Sequence, residues 1–206
     1  MDDTLDKISN LYSDNLTEHG DQSKAVGWST ADSQELRFEK LTQVIPKMAD
    51  SFSVNDYGCG YGAHLDYLLQ KQYSVAGYNG YDLSEEMLSK SKERLKDFDG
   101  DLTLINSSKI TTAADFTFVS GTFNVRFGSS YEEWKQFIEE TLTMINESSN
   151  LGFSFNLLSK YVDWEEPHLF YGDPCYWFDY CKVNFSKQVS LLHDYPLYEW
   201  TILVKK

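Results

Sequence analysis

Asp56-Tyr57-Gly58-Cys59-Gly60-Tyr61-Gly62 is the stretch whose reading decides the fold. Ser53-Val54-Asn55-Asp56, leading out of Phe52, reads as a short buried strand, and Ala63-His64-Leu65-Asp66-Tyr67-Leu68-Leu69 reads as a helix. Glycines between them allow backbone angles and a close approach that a side chain would block. The free N–H groups at the start of the helix favour a polar or anionic ligand. A plain strand-to-helix turn needs fewer than three alternating glycines, so the loop reads as a cradle for a nucleotide-type cofactor.

Two cofactors compete for such a loop. Gly58, Gly60 and Ala63 satisfy the G-x-G-x-x-G/A dinucleotide fingerprint, and Asp82 stands 24 residues after Gly58, near the spacing of a ribose-binding acid. Asp56, before the first glycine, would repel a pyrophosphate and attract an ammonium group. An amino-acid-bearing cofactor suits that acid better. At 206 residues the chain builds one sizeable domain, with no room for a full dinucleotide domain and a separate catalytic one.

On Asp56, Gly58, Gly60 and Gly62, an acid followed by G-x-G-x-G, the chain resembles the class I, Rossmann-like S-adenosylmethionine-dependent methyltransferases. Gly80-Tyr81-Asp82-Leu83-Ser84 matches the family's second motif. The resemblance covers roughly residues 35–206 and implies a cofactor, S-adenosylmethionine, and a methyl transfer to a small-molecule acceptor. The alternatives are a small NAD(P)-dependent reductase and a nucleotide-binding module without catalysis.

The rest of the chain alternates strands and helices. Asp32 with Glu35 forms a candidate capping box ahead of a helix with Phe38, Leu41, Ile45 and Met48 on its apolar face, ended near Pro46. A second strand covers Tyr73 to Tyr81, and Ser84 caps a helix that buries Met87, Leu88, Ser91 and Leu95. Strands follow at Leu102–Ile105, Phe116–Ser120 and Leu151–Asn156. Between the last two, Ser130 with Glu133 caps a helix carrying Trp134, Phe137, Thr141, Leu142 and Ile145. Tyr161 to Tyr180 is too rich in Pro, Asp and Trp for a simple connecting helix. Gln188–His193 and Tyr198–Val204 read as a closing strand pair. The pattern predicts an α/β fold: an open, doubly wound, mostly parallel sheet of about seven strands with an antiparallel C-terminal strand. Residues 1–30 read as an arm or helical lid, and residues 31–206 as a single domain.

The resemblance assigns roles position by position. Gly58 and Gly60 would approach the amino-acid end of the cofactor, and Asp56 its ammonium. Asp82 would accept hydrogen bonds from the ribose hydroxyls and Leu83 would pack on the adenine, while Ser120 and Gly121 would line the methionine side. After the third strand many family members carry an acid. Here Asn106-Ser107-Ser108 stands instead, leaving Ser107 as an adenine contact or a turn residue.

For the acceptor the candidates are fewer. His193 is the candidate general base, with a structural histidine as its other reading, and His168 a weaker one; His64 is expected to face solvent. Arg126 can clamp an anionic group or pair with one of the chain's 32 acids. Trp28 and Tyr12 can form the lid, and Tyr171 falls among the loops expected to enclose the acceptor.

Composition excludes several classes. A net charge of −14 with no basic run speaks against a nucleic-acid substrate. Neither a signal-peptide pattern nor a membrane-length apolar stretch is present, so a cytoplasmic enzyme is expected. Cys59, Cys175 and Cys181 lack metal spacing, and Asp163, Glu165, Glu166 and Asp173 lack the spacing of a calcium loop, so no metal is expected.

Overall fold

A computed structural model describes residues 4, 5, 7, 9–11, 13, 31–47 and 49–206. The expectations placed on Tyr12, Trp28 and Met48 lie outside the described residues. The described residues between 4 and 13 are helical. The elements that follow are α1 (Ala31–Thr42), β1 (Phe52–Tyr57), α2 (Ala63–Gln70), β2 (Val75–Asp82), α3 (Glu85–Arg94) and β3 (Asp101–Asn106). After them come β4 (Ala114–Val119), α4 (Tyr131–Glu147), β5 (Ser149–Ser159), β6 (Tyr171–Gly172), α5 (Pro174–Asn184), β7 (Gln188–Leu192) and β8 (Glu199–Lys205).

One eight-stranded sheet runs β3-β2-β1-β4-β5-β8-β7, with β6 pairing with β5 off this path. β1 to β5 are parallel, β8 is antiparallel to β5, and β7 is antiparallel to β8. The fold is thus the open, mostly parallel, doubly wound sheet that the sequence predicts. The eighth strand is β6, a two-residue piece too short to leave a period in the sequence.

Period-two alternation sorts the side chains of the central strands onto two faces. Val54, Phe116, Phe118 and Leu203 pack with α1, α2 and α3 residues such as Leu41, Leu65 and Leu88. On the other face Phe153, Phe155, Trp200 and Ile202 pack with α4 and α5 through Trp134, Ile138, Leu142, Ile145 and Trp177. The α4 residues recur at helical spacing and form one stripe. Truncating a fully buried member such as Leu142 to Ala would cost about 2–5 kcal/mol.

Helix ends follow the sequence closely. Ser84 accepts from Met87 N–H, and Ser130 and Glu133 complete a reciprocal capping box. One expectation is corrected. Asp32 lies within the helical span of α1 instead of preceding it, and Glu35 takes the Lys71 ammonium at 2.8 Å in place of a capping role. The stretch 161–180 is resolved into a loop, β6 and the start of α5, whose N-cap Asp173 and following Pro174 supply a helix start.

Candidate active site

The strand order reverses between β1 and β4, and in sheets of this kind ligands bind outside the carboxyl ends of the strands at that point. A cleft of about 760 Å³, partly open to solvent, lies there. Its floor is the loop after β1. Gly58, Gly60 and Gly62 have φ of 77°, 53° and 81°, the left-handed region where a side chain is strained. Gly58 N–H and Cys59 N–H both donate to Tyr81 O, at 2.8 and 3.0 Å, so the loop is fastened to the end of β2.

Asp82 completes that fastening. Its carboxylate accepts from Gly60 N–H at 2.8 Å and Ser84 N–H at 2.9 Å, and its remaining lone pairs border the cleft. Burial in the cleft wall lifts its pKa above the usual carboxylate value, while the bonds from Ser84, Gly60 and Leu83 act against that rise. Leu83 stands beside it in the lining, held by the Asn106 amide donating to the Leu83 carbonyl at 2.8 Å. Ser107 also lines the cleft, and its hydroxyl bonds within its own turn, accepting from Lys109 N–H at 2.9 Å.

Asp56 is sealed behind the glycine loop, 1% exposed. Burial raises its pKa to about 7; a 2.6 Å hydrogen bond from the Tyr78 hydroxyl lowers it and the charge of Asp82 raises it further. A second recess of about 330 Å³ joins Asp56 to Gly58, Gly60 and Ser120, with Gln34 and Phe38 of α1 on its far side. His64 lines this recess and does not face solvent. Its ring stacks on Phe38 at 4.5 Å and meets Phe118 edge-on, burial lowers its pKa to about 3, and its Nδ1 has no hydrogen-bond partner. The expectation of an exposed His64 fails because both aromatic partners come from elements far away in the chain.

The loop after β4 forms the opposite wall through Ser120, Gly121 and Thr122. Gly121 has φ of 72°, and its N–H donates to Asn156 Oδ1 at 2.7 Å. Thr122 Oγ1 donates to Tyr57 O at 2.9 Å, and Trp134 Nε1–H donates to Phe123 O at 2.8 Å. Ser120 Oγ is buried without a hydrogen-bond partner beside the cleft and the recess.

The structure gathers Asp56, Gly58, Gly60, Asp82, Leu83, Ser107, Ser120 and Gly121 around these two neighbouring spaces, which share Gly58, Gly60 and Ser120, with Gly62 capping α2 next to them. Three other candidates are elsewhere. Arg126 donates to the carbonyls of Leu169 and Ser129, which ties two loops together, and the Tyr171 hydroxyl accepts from Glu166 N–H. His193 follows β7 at the sheet edge, exposed and stacked on Tyr161 at 5.9 Å.

Sequence reasoning missed Tyr57, Tyr81, Met87, Thr122 and Trp134 in the lining, and Asn156 behind it. The signal for Asn156 was present. It is a polar residue at an alternate position of the apolar run Phe153-Ser154-Phe155-Asn156-Leu157, and such a residue in a central strand needs a partner. Among the described residues no helix is long and apolar enough to cross a membrane, and no group of three or more His, Cys, Asp or Glu is arranged to hold a metal ion.

No protein-family model matches the chain. A Mycobacterium tuberculosis protein named "Putative methyltransferase Rv1506c" is 48% identical over 166 residues, spanning 79% of this chain and 98% of that protein. Among solved structures, the magnesium protoporphyrin IX methyltransferase of Synechocystis PCC 6803 with bound S-adenosylmethionine superposes with a TM-score of 0.68. It is 14% identical and covers 98% of this chain and 95% of its own. A Leishmania major S-adenosylmethionine-dependent methyltransferase gives 0.63 at 15% identity, covering 95% of this chain and 83% of its own. At these identities the structural likeness speaks for the fold. The chain belongs to the class I, Rossmann-like S-adenosylmethionine-dependent methyltransferases. It is a methyltransferase enzyme, and the cofactor of its family is S-adenosylmethionine.

Proposed function

We propose that the cleft holds S-adenosylmethionine with its ribose on Asp82, its adenine against Leu83 and Ser107, and its amino-acid end over Gly58 and Gly60 toward Asp56. Ser120 and Gly121 form the methionine-side wall in this reading. The observation that carries it is the Asp82 carboxylate, braced by two backbone N–H groups at the lip of a mainly apolar cleft. A carboxylate so fixed offers two acceptor oxygens to a vicinal diol. One further feature fits the cofactor: Ser120 Oγ is a buried polar atom beside the cleft with no hydrogen-bond partner.

When bound, the cofactor supplies an electrophilic sulfonium methyl group. The chain's own work is to bind, orient and exclude water, which is where the rate gain of such a transfer arises. Burial by itself favours the neutral carboxyl of Asp56, and a neighbouring ammonium group would draw it to the charged form and pair with it. We assign the acceptor to small molecules reacting through oxygen or nitrogen. The net charge of −14 supports this by opposing a phosphate backbone. We read residues 31–206 as one domain and the N-terminal segment as its lid, since Leu5 and Ser9 line the cleft and Ser9 Oγ donates to Leu83 O at 3.0 Å. The three free cysteines favour a reducing, cytoplasmic setting.

Incubation with S-adenosylmethionine and fractionated metabolite extracts tests the proposal. Release of S-adenosylhomocysteine with one small-molecule fraction supports it. Release only with nucleic acid or protein would refute the acceptor class.

A further inference from the structure

We infer that Asn156 is a positioning residue for the cleft, transmitting a buried ion pair between α1 and β8 to the backbone of Gly121. The inference rests on the reading of Gly121 as the methionine-side wall.

Along β5, Phe153, Phe155 and Leu157 pack toward α4 and α5, so Ser154 and Asn156 point to the α1 face. Asn156 is fully buried. Its Nδ2 donates to Glu199 Oε2 at 3.0 Å, and its Oδ1 accepts from Gly121 N–H at 2.7 Å. Glu199 opens β8 and is held by Arg37 of α1, whose Nε lies 2.8 and 3.0 Å from the two carboxylate oxygens and whose Nη2 lies 2.9 Å from one.

Chemistry fixes the direction of this chain. An ionised carboxylate only accepts and a backbone N–H only donates, so the amide has one orientation that satisfies both neighbours. Glu199 must take the Asn156 NH₂, which turns the Asn156 carbonyl onto Gly121. A buried ion pair adds little net stability compared with an apolar replacement, so conformational specificity is the better account of this one. What it specifies is the placement of Gly121, a residue with φ of 72° next to Ser120 in the cleft wall.

Asn156→Leu removes both hydrogen bonds while keeping the number and branching of the side-chain heavy atoms. Ser154→Ala on the same face removes a comparably buried bond, Ser154 Oγ to Leu41 O at 2.9 Å, that does not reach the wall. Both variants are compared with the wild type by thermal melting, by calorimetric titration with S-adenosylhomocysteine, and by amide hydrogen exchange over residues 120–124. The expected result is a lowered melting temperature in both. Only Asn156→Leu raises Kd tenfold or more and accelerates exchange at Gly121, while residues 56–60 keep their protection. Unchanged exchange at Gly121 in Asn156→Leu, or an equal rise in Kd in Ser154→Ala, would overturn the inference. Should Asn156→Leu not fold, Asn156→Ala removes the same bonds with a much smaller apolar group beside Glu199 and is read in the same way. A wild-type protein that binds no S-adenosylhomocysteine contradicts the cofactor reading, and hydrogen exchange then judges the brace alone.

Discussion

The loop after β1 and the loop after β4 meet in the same cleft and are built by different means. The first is shaped by its own glycines and fastened to the adjacent strand end through Tyr81 O and Asp82. The second is held by groups from several elements: Asn156 of β5, the Tyr57 carbonyl of β1, Trp134 of α4, and Phe170, whose N–H reaches Asn124 O at 2.8 Å. Local backbone geometry thus shapes the first wall of the cleft, and groups brought in from remote elements hold the second.

The largest effect that tests this contrast is electrostatic and lies behind the first loop. Burial pushes the Asp56 carboxyl up from its ordinary 3.8 to about 7 in the folded chain. Between those values the folded chain holds a proton that the unfolded chain has lost. Stability from this group is therefore fully present below pH 3.8 and falls as pH rises to about 7, by about 4 kcal/mol at most. Asp56→Asn removes that fall, so the difference between wild type and variant in denaturant unfolding should change steadily across this window. A constant difference would contradict the assignment.

Next comes Asp82→Ala, which should weaken S-adenosylhomocysteine binding about 100-fold, roughly 3 kcal/mol. Ser120→Ala, on the other wall, should cost less than about tenfold by the same titration. A reversed order would mean that the β4 loop holds the cofactor more firmly than the β1 loop does. Gly58→Ala tests the contact between the loops. Its φ of 77° and the approach of its Cβ to Thr122 Oγ1 should destabilise the chain by about 2 kcal/mol in thermal or chemical unfolding. Adding Thr122→Ala should recover the steric part and leave the backbone part, and a double variant no better than Gly58→Ala would place the strain elsewhere. The smallest effect is expected for His193→Ala. Exposed and outside the cleft, it should change stability by less than about 0.5 kcal/mol. Turnover, once an acceptor is known, should stay within about threefold; a large loss would bring His193 back as a base.

What was legible in the sequence divides along the same line. Glycines at alternate positions, Asp56 and Asp82 near the ends of β1 and β2, and Ser84 at the start of α3 declare their structure locally, so β1, α2, β2, α3 and the cleft floor are legible in the sequence. The burial of His64 was not, because Phe38 and Phe118 arrive from α1 and β4. Nor was α5, in which Tyr176, Trp177, Phe178 and Tyr180 spread apolar character around the helix and blur its period. Arg126 shows the same limit: its partners are carbonyls, and a sequence does not say where carbonyls point.

Calorimetric titration of the wild-type chain with S-adenosylhomocysteine, and separately with NADH and NADPH, tests the central claim most directly. The account predicts one-to-one binding of S-adenosylhomocysteine, weakened about 100-fold in Asp82→Ala, and no heat from either dinucleotide. Binding of a dinucleotide with no response to S-adenosylhomocysteine would contradict it.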